Sequence, residues 1–225
     1  MAKKHDQGAR TTLEEVNESL TSAAQRIEDN KKYINWALCA IALLALLAGG
    51  YIYLHNKNVQ DAKEQIGKAD LKRLQGQQDE ALKDYEKVAA DYGNKIGDLA
   101  HLNAATLLYE KGEYEKAVKH LEEFDPAGNL IGPASQSLLG DCYVNLKKLD
   151  KALAAYEKAI SLSGDNEAYT PAFLMKKATI LHEQKKYADE AAIFQTIKDK
   201  YPTYGQQNGL SIDKYLERAN ALAGK

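Results

Sequence analysis

The sequence predicts an all-α protein in which one N-terminal transmembrane helix is followed by an α-solenoid of about four helical repeats. Three observations predict this class. Residues 34–54 form an uninterrupted apolar stretch, apolar residues elsewhere recur with helical spacing, and one pattern of residues returns at a regular interval. The four prolines lie between the helical patterns, and no stretch alternates with the two-residue period of a strand.

The apolar stretch from residue 34 to residue 54 contains no Asp, Glu, Lys, Arg or His. A helix rises about 1.5 Å per residue, so these 21 residues (54 − 34 + 1) extend roughly 31 Å, close to the hydrocarbon thickness of a bilayer. Aromatic residues, which are enriched at membrane–water interfaces, flank both ends: Tyr33, Trp36, Tyr51 and Tyr53. A signal peptide is disfavoured because the preceding segment is as acidic as it is basic, so the stretch predicts an uncleaved transmembrane helix.

Residues 1–33 are predicted to form a cytoplasmic tail, because Lys31 and Lys32 adjoin the span. Residues 1–11 are polar without periodicity, which is typical of an unstructured segment, whereas residues 12–32 predict an amphipathic helix. Its apolar residues alternate spacings of three and four: Leu13, Val16, Leu20, Ala23 and Ile27. Three interpretations stay open: a short coiled coil, a helix on the membrane surface, or a marginal helix ordered only by its continuity with the span.

Small residues on one face of the predicted span would let another membrane helix approach closely. They are Cys39, Ala42, Ala45 and Gly49, at spacings of three, three and four. This stripe is a predicted transmembrane contact face, with the alternative that Ala and Gly are simply common in membrane spans.

The clearest repeat unit runs from residue 133 to residue 164. The residues that define it are Leu139, Gly140 and Tyr143 on a first helix and Ala152, Tyr156 and Ala159 on a second. This pattern resembles the tetratricopeptide repeat (TPR), a pair of antiparallel helices. Its small residues let the two helices approach, and its large residues fill the space around that contact. The resemblance implies a TPR solenoid.

The pattern recurs in three further segments. The second-helix markers are separated by 36, 35 and 38 residues (117 − 81, 152 − 117 and 190 − 152), near the 34 residues of the TPR: Ala81, Ala117, Ala152 and Glu190. Glu190 departs from the small residue expected at its position. We therefore predict repeats over residues 55–205 and a C-terminal capping helix over residues 206–225, which closes the apolar end of the stack.

The composition and motifs argue against several functions. The formal net charge is −2 and is spread evenly, so a nucleic-acid-binding surface is not predicted. Cys39 and Cys142 lie in different environments, which argues against a disulfide framework. The five histidines have no metal-ligand spacing, and no phosphate-binding loop or nucleophile motif occurs. The sequence predicts no enzyme, no cofactor, no metal and no small-molecule substrate.

Stacked repeats form a groove lined by the first helix of each repeat, which suits an extended segment or a partner's helix. The repeat register predicts these protein-binding residues: Leu102, Thr106, Tyr109, Glu110, Asp141, Val144, Asn145, Met175, Thr179 and His182. Lys and Asn, which in some TPR domains clamp a partner's terminal carboxylate, are not in the places where that clamp needs them. Leu102, Val144 and Met175 near Tyr109 predict a mild apolar strip.

The order of tail, span and repeats resembles the YfgM-like ancillary subunits of the bacterial SecYEG translocon. The resemblance implies an inner-membrane, single-pass protein with a cytoplasmic N-terminus and periplasmic repeats. Its implied partners are the Sec translocon, a periplasmic isomerase-like chaperone and extended client polypeptides handed to folding factors. The tail is longer than the short one usual in that family. Two alternatives stay open: a structural scaffold of another cell-envelope assembly, and an import receptor of opposite topology.

Overall fold

The computed structural model describes residues 6–93, 95–127 and 131–224, with the side chains of residues 6–15 and of residue 23 outside the described part. It contains eleven helices and no strand in these ranges. The helices are α1 (Asp6–Asp29), α2 (Lys31–Leu74), α3 (Gln78–Asp91), α4 (Lys95–Glu110), α5 (Tyr114–Glu123), α6 (Gly132–Asn145), α7 (Leu149–Ser163), α8 (Thr170–Glu183), α9 (Tyr187–Lys200), α10 (Pro202–Gln207) and α11 (Ile212–Leu222). The all-helical fold class is confirmed.

The chain divides into two units, Met1–Asn58 and Val59–Lys225. In the first unit, α1 begins at Asp6, so the prediction of an unstructured segment through residue 11 is wrong for residues 6–11, while residues 1–5 lie outside the described part. The apolar side chains of Val16, Leu20 and Ile27 are each more than half exposed on α1. Every residue from 35 to 54 on α2 is exposed as well.

The second unit is a series of helix pairs. The end of α2 pairs with α3, α4 with α5, α6 with α7 and α8 with α9, and α11 packs on α9. We call these pairs repeats 1 to 4. Their small and apolar marker residues are buried in three neighbouring clusters, as the sequence pattern predicts.

Close approach of α6 and α7 depends on Gly140. Its Cα faces the Tyr156 ring so closely that an added Cβ would lie 2.4–2.9 Å from three ring carbons. Ala152 and Ala159 on α7 are fully buried, and Tyr156 is 3% exposed. The structure therefore confirms the predicted division of labour between small residues at the helix contact and large residues around it.

The turn inside each repeat needs one residue with a positive φ. Gly76 and Gly112 supply it in repeats 1 and 2, with φ of 81° and 77°. Lys147 and Lys185 occupy the same place in repeats 3 and 4, with φ of 59° and 58°. Each turn closes on a backbone hydrogen bond to the end of the first helix, which holds the lysines in a conformation that favours glycine.

Candidate functional site: the face of the first helices

The first helices of successive repeats lie side by side and contact one another through polar side chains. Arg73 at the end of α2 pairs with Glu110 of α4, with Nη2 and Oε1 2.6 Å apart. Lys176 of α8 pairs with Asp141 of α6, with Nζ and Oδ2 also 2.6 Å apart. The predicted protein-binding residues lie on α4, α6 and α8, so the structure brings them onto adjoining helices. We call this surface the first-helix face.

Asp141 is the centre of a polar network that joins repeats 3 and 4. Its Oδ1 accepts a hydrogen bond from the Tyr156 hydroxyl at 2.7 Å, and Lys176 Nζ donates both to Asp141 and to the buried Ser137 hydroxyl at 2.9 Å. The Lys176 ammonium also lies 5.8 Å from the centre of the Tyr156 ring. Burial, followed by the charge of Asp141, raises the pKa of Tyr156, so its hydroxyl stays a donor.

Tyr109 links repeat 2 to the same network. Burial, and next the nearby Asp141 carboxylate, raise the pKa of Tyr109, while a hydrogen bond with Asn145 acts in the opposite direction. Its ring meets Tyr114 edge to face, with centroids 5.5 Å apart. Tyr109 is thus held between its own repeat and α6, with only part of its surface facing solvent.

The same arrangement occurs one step earlier in the array. Asp70 accepts a hydrogen bond from the Tyr85 hydroxyl at 2.5 Å and lies 3.4 Å from Asn103 Nδ2 of the next first helix. Burial and the bond to Asp70 raise the pKa of Tyr85. The sequence reasoning missed this Asp–Tyr pair, although its signal is present: Asp and Tyr are 15 residues apart in both repeats (85 − 70 and 156 − 141).

Many of the predicted binding side chains are engaged within the protein. Thr106, Asn145 and Thr179 donate to backbone carbonyls one turn earlier in their own helices. The predicted apolar strip is half buried, because its side chains pack against the hydrophobic clusters beneath: Leu102, Tyr109, Val144 and Met175. Asn145, Thr179 and Glu110 are exposed. A binding role for the ten residues stays a prediction.

His182 is the predicted residue whose surroundings differ most from a free groove position. Its Nδ1 donates to Glu190 Oε2 at 2.9 Å, and its ring meets Tyr187 edge to face. Glu190 is 1% exposed and lies 3.4 Å from Arg218 Nη2 of α11. The carboxylate that replaces the expected small residue is therefore buried between a histidine and an arginine. Sequence reasoning marked Glu190 as a departure but did not identify its partners.

The predicted transmembrane contact face on α2 consists of exposed residues: Cys39, Ala42, Ala45 and Gly49. A Cβ added at Gly49 would meet no atom within 4 Å. The face is accessible in the first unit, and its role as a contact stays a prediction.

Reactive and metal-binding groups are few in the part of the chain that the structure describes. Among those residues no three His, Cys, Asp or Glu side chains come together in a way that could hold a metal ion. Burial and the neighbouring Asp141 raise the pKa of the Cys142 thiol to about 12, so Cys142 is a packed thiol and a poor nucleophile.

The family model described as "tetratricopeptide repeat-like domain" matches residues 13–183. The chain belongs to this family. The TPR resemblance is confirmed, and the match extends through the α1 stripe and the apolar stretch as well as three of the four repeats. A TPR fold of this kind supports a protein-binding, adaptor-like role.

Solved TPR structures show the same fold at low sequence identity. MamA 41-end from Desulfovibrio magneticus RS-1 is 17% identical with a TM-score of 0.52, covering 67% of this chain and 80% of that one. YrrB, described as a TPR protein with an unusual peptide-binding site, is 16% identical with a TM-score of 0.54, covering 71% and 76%. A putative kinesin light chain from Podospora anserina with TPR-like repeats gives 16%, 0.54, 72% and 86%. No curated protein sequence matches the chain.

Replacing Asp141 by Ala is expected to lower the free energy of unfolding by about 2 kcal/mol, because it leaves the buried Tyr156 hydroxyl and Lys176 without their shared acceptor. Asp70→Ala is the matched variant, since it removes the equivalent acceptor of Tyr85. Urea unfolding of the full chain in detergent measures both. Equal stability of D141A and the wild type would contradict the assignment of Asp141 as the centre of the network.

Proposed function

We propose that this TPR protein is a single-pass membrane adaptor that holds a protein-binding repeat domain at the bacterial inner membrane. The observation that carries the proposal is the apolar helical surface of residues 35–54, which is exposed all round in its unit. Such a surface is unfavourable in water and favourable in hydrocarbon. The proposed organisation is a cytoplasmic tail over 1–33, a span over 34–54, periplasmic repeats over 55–205 and a capping segment over 206–225.

The proposed role is that of an ancillary subunit of the Sec translocon that hands emerging chains to periplasmic folding factors. Two findings support it. The family match begins at residue 13, so the family's own pattern aligns with the tail and the apolar stretch, in the order that the resemblance to YfgM-like subunits implies. The structurally similar YrrB is described as having a peptide-binding site, and the first-helix face of this chain is the equivalent kind of surface.

On this proposal, exposed residues of the first-helix face contact the client or partner, and the small-residue face of the span contacts a membrane subunit. Asn145 and Thr179 are the most direct candidates, because both are exposed on neighbouring first helices. The half-buried Tyr109 and Val144 border them with apolar surface.

Site-specific photo-crosslinking tests the role. A photoreactive amino acid at Asn145 or Thr179 is expected to capture translocon components or exported chains in intact membranes. The matched control is Lys158, which is equally exposed but lies on α7, the second helix of its repeat. Equal capture from Lys158, or capture of proteins unrelated to secretion, would overturn the role at the translocon.

Topology is tested separately. A reporter enzyme that is active only outside the cytoplasm, fused after Lys225, is expected to be active. An inactive reporter, together with activity of a cytoplasmic reporter at the same position, would favour the import receptor of opposite topology.

A structural scaffold of another envelope assembly is the second candidate, and the exposed stripe on α1 favours it. Val16, Leu20 and Ile27 have the spacing of a coiled-coil seam and no covering residue within their unit. Deletion of residues 1–30 distinguishes the two: a scaffold loses its oligomeric state, whereas a translocon adaptor keeps its partner.

A further inference from the structure

Two histidines face each other inside repeat 2. His101 is on α4 and His120 on α5, with their Nδ1 atoms 3.1 Å apart and their ring centroids 5.3 Å apart. Both rings are partly buried. None of the repeat markers predicts this pair.

The two distances define how the rings meet. Their difference (5.3 − 3.1 = 2.2 Å) is what two ring radii contribute when both Nδ1 atoms lie on the line joining the ring centres. The two lone-pair directions therefore point at each other. Two imidazoles that ligate one zinc ion instead direct their lone pairs at a point off that line, at about 2.0–2.1 Å from each nitrogen. The geometry is that of a hydrogen bond between imidazoles, in which one Nδ1 carries the proton and the other accepts it.

Glu86 indicates which ring is the donor. Its Oε1, on α3 of repeat 1, lies 3.8 Å from His120 Nε2, the ring nitrogen that does not face His101. A proton on His120 Nε2 is favoured beside this carboxylate, which leaves His120 Nδ1 as the acceptor and His101 Nδ1–H as the donor. The groups that act on His120 are His101 from α4, Glu86 from α3 and Glu123 from its own helix.

We propose that the His101–His120 pair is a pH-sensitive joint: it holds α4 and α5 together while the two rings share one bridging proton, and it opens when both are protonated. Two imidazolium rings would each direct an N–H at the other across 3.1 Å, which removes the acceptor and places like charges together. The opening would loosen α4 against α5 at the junction with α3, and α4 carries Thr106, Tyr109 and Glu110 of the first-helix face.

The sign of the pH dependence follows from proton counting. The folded pair accommodates at most one extra proton, whereas the two histidines of the unfolded chain each bind one below their ordinary pKa of about 6.5. Burial, and next the neighbouring His101, lower the pKa of His120 in the fold, although Glu86 and Glu123 act against this. The unfolded chain therefore binds more protons in acid, so this contribution to stability is complete above about pH 6.5 and is lost as the pH falls below it.

Thermal unfolding of the full chain in detergent tests the joint. The variant His101→Asn with His120→Asn keeps amide donors and acceptors near the Nδ1 positions but does not titrate. Between about pH 7.5 and about pH 5, the Tm of the wild type is expected to fall by about 3 °C more than that of the double variant. The control His55→Asn removes an exposed histidine and should follow the wild type. Parallel Tm curves for the wild type and the double variant would overturn the proposal.

A measurement on the wild type keeps the test valid if the double variant does not fold. Nitrogen-15 NMR of histidine-labelled full chain in detergent reports the tautomer of each ring. We expect the Nδ1–H tautomer at one ring of the pair and the Nε2–H tautomer at the other near pH 7.5, with no doubly charged pair above about pH 5. Two rings that titrate independently near pH 6.5 would overturn the joint.

Discussion

Substitution of Gly140 by Ala is expected to destabilise the repeat domain by about 2 kcal/mol. The added Cβ would lie within 2.9 Å of three carbons of the Tyr156 ring. That ring is buried and is held by its hydroxyl bond to Asp141, so α6 and α7 must move apart. Overpacking of this kind costs about 3 kcal/mol, and the better helix propensity of Ala returns about 1 kcal/mol.

Gly67→Ala is the matched control for this substitution. Gly67 also lies inside a helix of the second unit, but an added Cβ there meets no atom within 4 Å. This variant should gain up to about 1 kcal/mol from helix propensity alone. Urea unfolding of both variants in detergent gives the comparison. If G140A were as stable as G67A, the close contact between α6 and α7 would not be a stabilising feature of repeat 3.

Removal of the histidine that faces Glu190 has the second large effect. His182→Leu leaves a carboxylate that is 1% exposed with only Arg218, 3.4 Å away, as a polar partner. Breaking a buried ion pair by deleting one partner costs about 3 kcal/mol, because the remaining charge stays in a poorly solvated site. Arg218→Met is the milder comparison and should cost less than about 1 kcal/mol, since Arg218 is itself exposed.

A double variant separates loss of the pair from loss of packing. Glu190→Ala restores the small residue that the other three repeats have at this position: Ala81, Ala117 and Ala152. In the His182→Leu background it removes the uncompensated charge and is expected to recover at least about half of the lost free energy of unfolding. A double variant that is less stable than His182→Leu would show that the Glu190 side chain stabilises by packing instead of by pairing.

The fold could be predicted from the sequence because its determinants are local and periodic. Gly140, Ala152 and Tyr156 occupy places that a helix pair fixes by steric fit, and the same spacing recurs along the chain. The start of α1 at Asp6 was not predicted, since the first residues of that helix have no apolar stripe to mark them.

The candidate site was predictable only in outline. The register placed the chosen residues on adjoining first helices, but it gave no information about which side chains are already engaged. Lys176 occupies a place that no repeat marker defines, and its partner Asp141 is 35 residues earlier. Arg218 lies 28 residues after Glu190. Contacts between side chains so distant in sequence depend on the way repeats stack, which the pattern within a single repeat does not specify.

The alternation of the Asp–Tyr pairs constrains how the array can misassemble. Repeats 1 and 3 carry Asp70 with Tyr85 and Asp141 with Tyr156, whereas the equivalent places in repeats 2 and 4 are Thr106 with Leu121 and Thr179 with Phe194. If two copies exchanged segments with a slip of one repeat, each aspartate would meet an apolar partner in place of a tyrosine hydroxyl, at the cost of burying an unpaired carboxylate. A slip of two repeats would restore every such pair. The translational unit of this array is thus a pair of repeats, and domain-swapped dimers should be offset by two repeats or by none.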